Sequence, residues 1–225
     1  KDIVRLTGIS EKKIHVIYLA AGTAFQKLDI SKEKSEAIKE KFNLPNQFGL
    51  YVGDVTWNKN LPRILEAFKE IDIPLVLVGK KLVEKNIDRK NPWNKDLLQV
   101  QDKIDNKKYI ALGFVEETDL VNLYNLASVL VEPSLYEGFG LPILEAMACG
   151  CPVITARCGS LQEVAGDAAL YVMPDSVDQI TQGLKKIIKN KNLRNNLIER
   201  GLQNVKNFSW KKTATRTLKI YETLI

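Results

Sequence analysis

Apolar residues in this chain fall into two recurring patterns. Short, nearly continuous apolar runs bounded by glycine or polar turns occur at Phe48–Gly53, Leu75–Val78, Tyr109–Leu112, Val129–Val131, Pro152–Ala156 and Ala169–Val172. Such runs predict strands buried on both faces, as in a parallel sheet. Between them apolar positions recur at helical spacing. Leu61, Ile64, Leu65 and Phe68 mark a core-facing helix over Leu61–Glu70. Further helices are predicted over Ser31–Phe42, with Ser31 as N-cap, over Pro92–Asp105, and over Glu116–Leu126, whose acidic first turn suits the helix dipole. Another begins around Pro142 and stops at Gly150, and a short one spans Leu161–Val164. Three more close the chain over Val177–Ile188, Leu193–Val205 and Trp210–Leu224. Near the N-terminus, Lys1–Gly8 reads as a helix end, and the alternation in Lys13–Leu19 reads as a strand. Strands that alternate with helices imply an α/β fold: a Rossmann-like doubly wound parallel sheet of about six strands, with helices on both faces.

Composition narrows the function classes. The chain has 225 residues, 45% of them hydrophobic, which supports a substantial core. No apolar run approaches the roughly 18–20 residues that span a bilayer. Net charge is +6 with a pI near 9.1, but the lysines are dispersed. Without a stripe of basic and aromatic residues this charge does not indicate nucleic-acid binding. It is compatible with an anionic substrate, or with peripheral contact at the inner face of a membrane. Three cysteines, none in a CxxC pair, suggest a reducing, cytoplasmic setting and structural roles. His15 is the single histidine and lies in the alternating stretch, which argues against a Ser-His-Asp hydrolase.

The stretch from Val129 to Gly159 concentrates the chemistry. A strand leads into a loop carrying Glu137, Gly138 and Gly140, and that loop enters the helix containing Pro142. Open α/β sheets bind ligands at the carboxyl ends of their strands. The amides of Gly138, Phe139, Gly140 and Leu141 are placed to face such a crevice, where a helix N-terminus favours phosphate. Glu137 and Glu145 would repel phosphate themselves but accept hydrogen bonds from paired hydroxyls. A ligand with phosphate in its middle and polyol groups at both ends fits this layout, as a nucleotide sugar does.

The run E-G-F-G-L-P-I-L-E, Glu137–Glu145, resembles the E-x7-E motif of family-four retaining glycosyltransferases with the GT-B fold. The flanking sequences ALGFVEETDLVNLYNLASVLVEPS and CPVITARCGSLQEVAGDAALYVMPDS are also similar to that family. The resemblance implies that this is the C-terminal, donor-binding domain. Residues 1–30 would form the interdomain link and the end of a missing N-terminal domain, and residues 31–225 the nucleotide-sugar domain with its closing helices. It further implies that Glu137 holds donor-sugar hydroxyls, Glu145 the ribose hydroxyls, and Lys59, in N-K-N, the diphosphate. The base would lie against Gly79–Lys80 and Gly113–Val115, including Phe114 and Val115, and be read through backbone groups. Glu137 and Lys59 are the catalytic candidates; no protein nucleophile is evident. The family often places an arginine directly after the first strand's glycine. Here that position is Asp54, and Arg157 is the candidate substitute. No D-x-D triplet occurs, so no metal or other cofactor is expected, and the nucleotide sugar is a substrate. The acceptor, a glycan or lipid-linked molecule, would bind the missing domain. A non-catalytic nucleotide-sugar-binding module and a sugar-nucleotide epimerase are the alternatives.

Overall fold

A computed structural model describes residues 2–105 and 107–223. The predicted ends at Lys1 and Leu224 lie outside the described residues. Six strands form: β1 (Gly49–Val52), β2 (Leu75–Val78), β3 (Tyr109–Gly113), β4 (Val129–Glu132), β5 (Val153–Ala156) and β6 (Ala169–Val172). All neighbours pair in parallel, in the order β3-β2-β1-β4-β5-β6. The helices are α1 (Asp2–Thr7), α2 (Lys32–Phe42), α3 (Leu61–Phe68), α4 (Lys95–Gln101), α5 (Glu117–Leu126), α6 (Leu141–Ala148), α7 (Leu161–Ala165), α8 (Val177–Lys189), α9 (Lys191–Asn204) and α10 (Trp210–Glu222). The doubly wound sheet read from the apolar pattern is thus present.

Strand alternation divides the core into two layers. Leu50, Val76, Val78, Leu130 and Val153 point to the layer with Tyr124, Leu144 and Met147 of α5 and α6. Tyr51, Leu75, Leu77, Val131 and Ile154 point the other way, against Ile64, Leu65 and Phe68 of α3 and Leu184 of α8. β2, β4 and β5 are buried at every position and β1 at three of its four, which explains runs that are almost continuously apolar, while the edge strands β3 and β6 are half-buried at their middle positions.

The local signals hold where a mechanism stands behind them. Ser31 Oγ accepts from the Lys34 amide at the start of α2. At the end of α6, Gly150 has φ +71°, and its N–H and that of Cys151 bond to the carbonyls of Met147 and Ala146. That double bond pattern, with a left-handed glycine, terminates the helix.

Two expectations fail. Lys13–Leu19 is not a strand. Lys13 ends a 3₁₀ turn, Glu11–Lys13, Ile14 is extended, and the residues that follow pair with no strand. Its backbone is held by a side chain instead, as Thr213 Oγ1 of α10 donates to the Tyr18 carbonyl at 2.6 Å. The alternating residue types correspond to no alternating burial: Lys13, His15 and Val16 are exposed, and Ile14, Ile17, Tyr18 and Leu19 are half-buried. The helix predicted over Pro92–Asp105 also divides. Pro92–Asn94 is a 3₁₀ turn, and the α-helix ends at Gln101. Asp105 accepts from the amides of Lys107, Lys108 and Tyr109, forming a turn into β3 instead of a last helical turn.

Candidate functional site

The strand order reverses direction between β1 and β4, the neighbours from which the sheet winds outward both ways. In an open sheet this leaves a crevice at the carboxyl ends of those two strands. Two loops flank it, 53–60 after β1 and 133–140 after β4. They are laced together: Leu135 N–H donates to the Asn58 carbonyl at 2.7 Å, and Asn58 Nδ2 donates to the Tyr136 carbonyl at 3.0 Å. Asn60 is buried, in the left-handed conformation at φ +60°, and Nδ2 donates to the carbonyls of Pro133 and Pro174. One carboxamide therefore ties the loops after β1, β4 and β6. Asn60→Ala should cost roughly 1–3 kcal/mol by leaving those buried carbonyls unpaired. Asn60→Gly keeps the left-handed backbone, so denaturant titration of both variants separates the hydrogen bonds from the backbone strain.

The lacing brings Lys59 against two carboxylates. Its Nζ lies 2.7 Å from Glu137 Oε1 and 3.3 Å from Glu132 Oε1. All three side chains are largely withdrawn from solvent: Lys59 is 17% exposed, Glu137 11% and Glu132 2%. Burial opposes the charge on Lys59, but the Glu132 and Glu137 carboxylates outweigh it and raise its pKa. Burial pushes the Glu132 carboxyl up to about 7; Lys59 opposes this and the Glu137 charge adds to it. Glu132 is the residue that sequence reading missed. It ends β4 and resembles a surface charge before a proline, although it forms the floor of the crevice.

The remaining candidates separate into groups. Gly138 is open on its Cβ side, whereas Gly140, at φ +94°, would place a Cβ 2.8 Å from Leu161. Gly140 and Leu141 form the entry to α6, with Pro142 in its first turn. The Phe139 ring turns away into a cluster with Tyr18 and Phe208, at centroid distances of 6.4 and 6.2 Å. The loop is held from behind by the turn after β5. Ser160 Oγ donates to the carbonyls of Glu137 and Phe139, and a Cβ on Gly159 would meet the Glu137 carbonyl at 2.7 Å. The Glu145 carboxylate accepts from the buried Tyr124 hydroxyl at 2.9 Å. Burial raises the Glu145 pKa, and the Tyr124 bond works against the rise.

On the other side of β1, a Cβ on Gly79 would come 2.2 Å from the Gly53 carbonyl, so only glycine permits this approach. Lys80 is exposed, and Phe114 is 69% exposed. The Val115 side chain belongs to the core, which leaves only its backbone for a ligand. Arg157 lies over the Tyr171 ring, 4.1 Å from its centroid, and takes no part in the Lys59 cluster. Among the described residues no group of three or more His, Cys, Asp or Glu side chains is placed to hold a metal ion. No helix among them is long and apolar enough to cross a membrane.

Comparison with known proteins adds to this geometry. The model of the family described as Glycosyl transferases group 1 matches residues 32–204. The O-antigen chain mannosyltransferase B of Escherichia coli is 33% identical over 99% of the chain and 58% of its own length. A sucrose-phosphate synthase from Thermosynechococcus elongatus superposes with a TM-score of 0.80 at 25% identity, covering 99% of this chain and 55% of that one. The C-terminal domain of a group 1 family protein from Francisella tularensis superposes with a TM-score of 0.65 at 25% identity, over 84% of this chain and 97% of that domain. The chain therefore spans little more than half the length of the larger two.

Proposed function

The chain belongs to the glycosyl transferases group 1 family, and from that premise we propose that it is the donor-binding half of a configuration-retaining, metal-independent glycosyltransferase. The observation that carries the reading is the meeting of Lys59 and Glu137, from two different loops, at the switch point beside the entry to α6. Lys59 and the amides of Gly138–Leu141 receive the donor diphosphate and stabilise it as it leaves, the role that preorganised donors play for developing negative charge. Glu137, released from Lys59, accepts from hydroxyls of the donor sugar. Glu145, held by Tyr124, accepts from the ribose. The base lies along Gly79–Lys80 and Phe114–Val115. The mannosyltransferase relative favours a mannosyl donor.

Residues 31–225 form this half, and residues 1–30 link it to an acceptor-binding half. The family match that starts at residue 32 supports that division. So does α1, which buries none of its described side chains and exposes Leu6. The acceptor is a glycan or lipid-linked molecule, used on the cytoplasmic side of a membrane.

Calorimetric titration with GDP, UDP and ADP tests the reading. One of them binds, EDTA leaves binding unchanged, and Glu145→Ala weakens it by roughly 1–3 kcal/mol through loss of a charged hydrogen-bond acceptor. No binding by any of the three contradicts the donor-site reading. Loss of binding on chelation contradicts metal independence.

A further inference from the structure

The cluster at the switch point has one cation and two carboxylates. A diphosphate diester would add two more negative charges, at the one cation that now contacts both Glu132 and Glu137. Some carboxylate must move or be neutralised when the crevice fills. Glu137 stands on a loop and can turn toward ligand hydroxyls or water. Glu132 cannot move in this way: it ends β4, is 2% exposed, and its neighbour Thr155 bonds its backbone carbonyl at 2.9 Å. We propose that Glu132 takes up one proton from solvent when an anionic donor enters the crevice, so that donor binding is coupled to protonation of this carboxylate. The inference rests on the donor-site reading and adds the charge state of the crevice floor.

The geometry assigns the proton to Oε2. Oε1 faces Lys59, whereas Oε2 is buried with no hydrogen-bond partner among the described residues. Adding a proton there forms an O–H bond and breaks no existing contact.

Of the charged groups around Glu132, only Lys59 favours its ionised form. Tyr51 of β1 and Tyr124 of α5 are buried phenols whose pKa values lie well above the ordinary range, so they remain neutral. Glu137 of the loop and Glu145 of α6 are carboxylates that disfavour a further negative charge. Lys59 is the cation that opposes them. A ligand diphosphate engages Lys59 and weakens its hold on the Glu132 charge, while adding like charge nearby. Burial already places the Glu132 carboxyl at about 7, within reach of protonation near neutrality.

The test is calorimetric titration of the 225-residue chain with GDP-mannose and UDP-glucose, whose diester diphosphates keep constant charge near neutral pH. Affinity should rise roughly tenfold from about pH 8 to about pH 6, as linkage to one proton requires. The binding heat at about pH 8 should change with the ionisation enthalpy of the buffer, corresponding to net proton uptake. Glu132→Gln should remove both effects and bind at the higher pH as tightly as the unaltered chain does at the lower. Glu137→Gln keeps Glu132 and should retain the uptake. A structural role for Glu132 alone would leave affinity independent of pH. Flat affinity with buffer-independent heat in the unaltered chain overturns the proposal, as does uptake that persists in Glu132→Gln. Should that variant fail to fold, the buffer experiment on the unaltered chain and on Glu137→Gln still decides. Absence of binding by either sugar nucleotide at every pH overturns the donor-site reading itself, and this proposal with it.

Discussion

Lys59→Ala should destabilise the fold by about 3–5 kcal/mol at neutral pH, the cost of removing one partner from a buried ion pair. It leaves Glu132 and Glu137 facing each other without the cation 3.3 and 2.7 Å away. The loss should depend on pH. A carboxyl whose folded pKa is raised favours the folded state in its protonated form. That contribution is fully present below its ordinary value of 4.5 and is lost as pH rises toward about 7. Without Lys59 the Glu132 pKa rises further, so the variant should fall behind most at alkaline pH and recover toward about pH 5. The same variant should lose measurable affinity for nucleoside diphosphates, since the remaining cluster is purely anionic. Urea unfolding at several pH values, with a titration at each, separates the two effects. A variant that stays as stable as the unaltered chain at alkaline pH would show that Lys59 does not balance the buried carboxylates.

Tyr124→Ala should cost about 3–5 kcal/mol, the range for emptying a buried aromatic site. The ring is fully enclosed and packs edge-on against Phe25 at a centroid distance of 5.9 Å. Tyr124→Phe separates its two roles. The packing survives, but Glu145 loses the hydroxyl that orients it at 2.9 Å. Stability should then drop by only about 1 kcal/mol, a typical net hydrogen-bond contribution. Nucleotide affinity should fall by more than that drop suggests, because an unheld carboxylate must be ordered by the ligand. Thermal unfolding and calorimetry on both variants check this. Equal affinity in Tyr124→Phe and the unaltered chain would mean that Glu145 needs no such support.

The fold was largely legible because its signals are local. Continuous apolar runs mark strands buried on both faces, Ser31 caps α2, and Gly150 ends α6 by a left-handed turn. The segment 13–19 misled because its alternating residue types correspond to neither alternating burial nor a ladder. The E-x7-E run drew attention to the loop after β4 through its glycines and carboxylates, its place between a strand and a helix, and its resemblance to a family motif. What remained hidden depended on strand order. Lys59 and Glu132 lie 73 residues apart and meet only because β1 pairs with β4. No spacing along the chain reports that pairing. Glu132 was overlooked because a glutamate before a proline reads as exposed, and only the fold shows it enclosed. Asn60 was read as part of N-K-N, but its three-loop tie needs both the left-handed backbone and the position of Pro174. Ser160 and Gly159 hold the Glu137 loop from behind, a contact between two loops that no motif encodes.

The account rests on one location: a donor bound in the crevice between the loops after β1 and β4. The most direct measurement is amide chemical-shift mapping of the labelled chain during titration with GDP-mannose and UDP-glucose. The account predicts saturable shifts confined to Gly53–Asn60, Glu137–Glu145, Gly79–Lys80 and Gly113–Val115, with Lys59 and Gly138–Leu141 moving most. Shifts centred on the opposite, amino-terminal ends of the strands, or no shifts with either ligand, would contradict it.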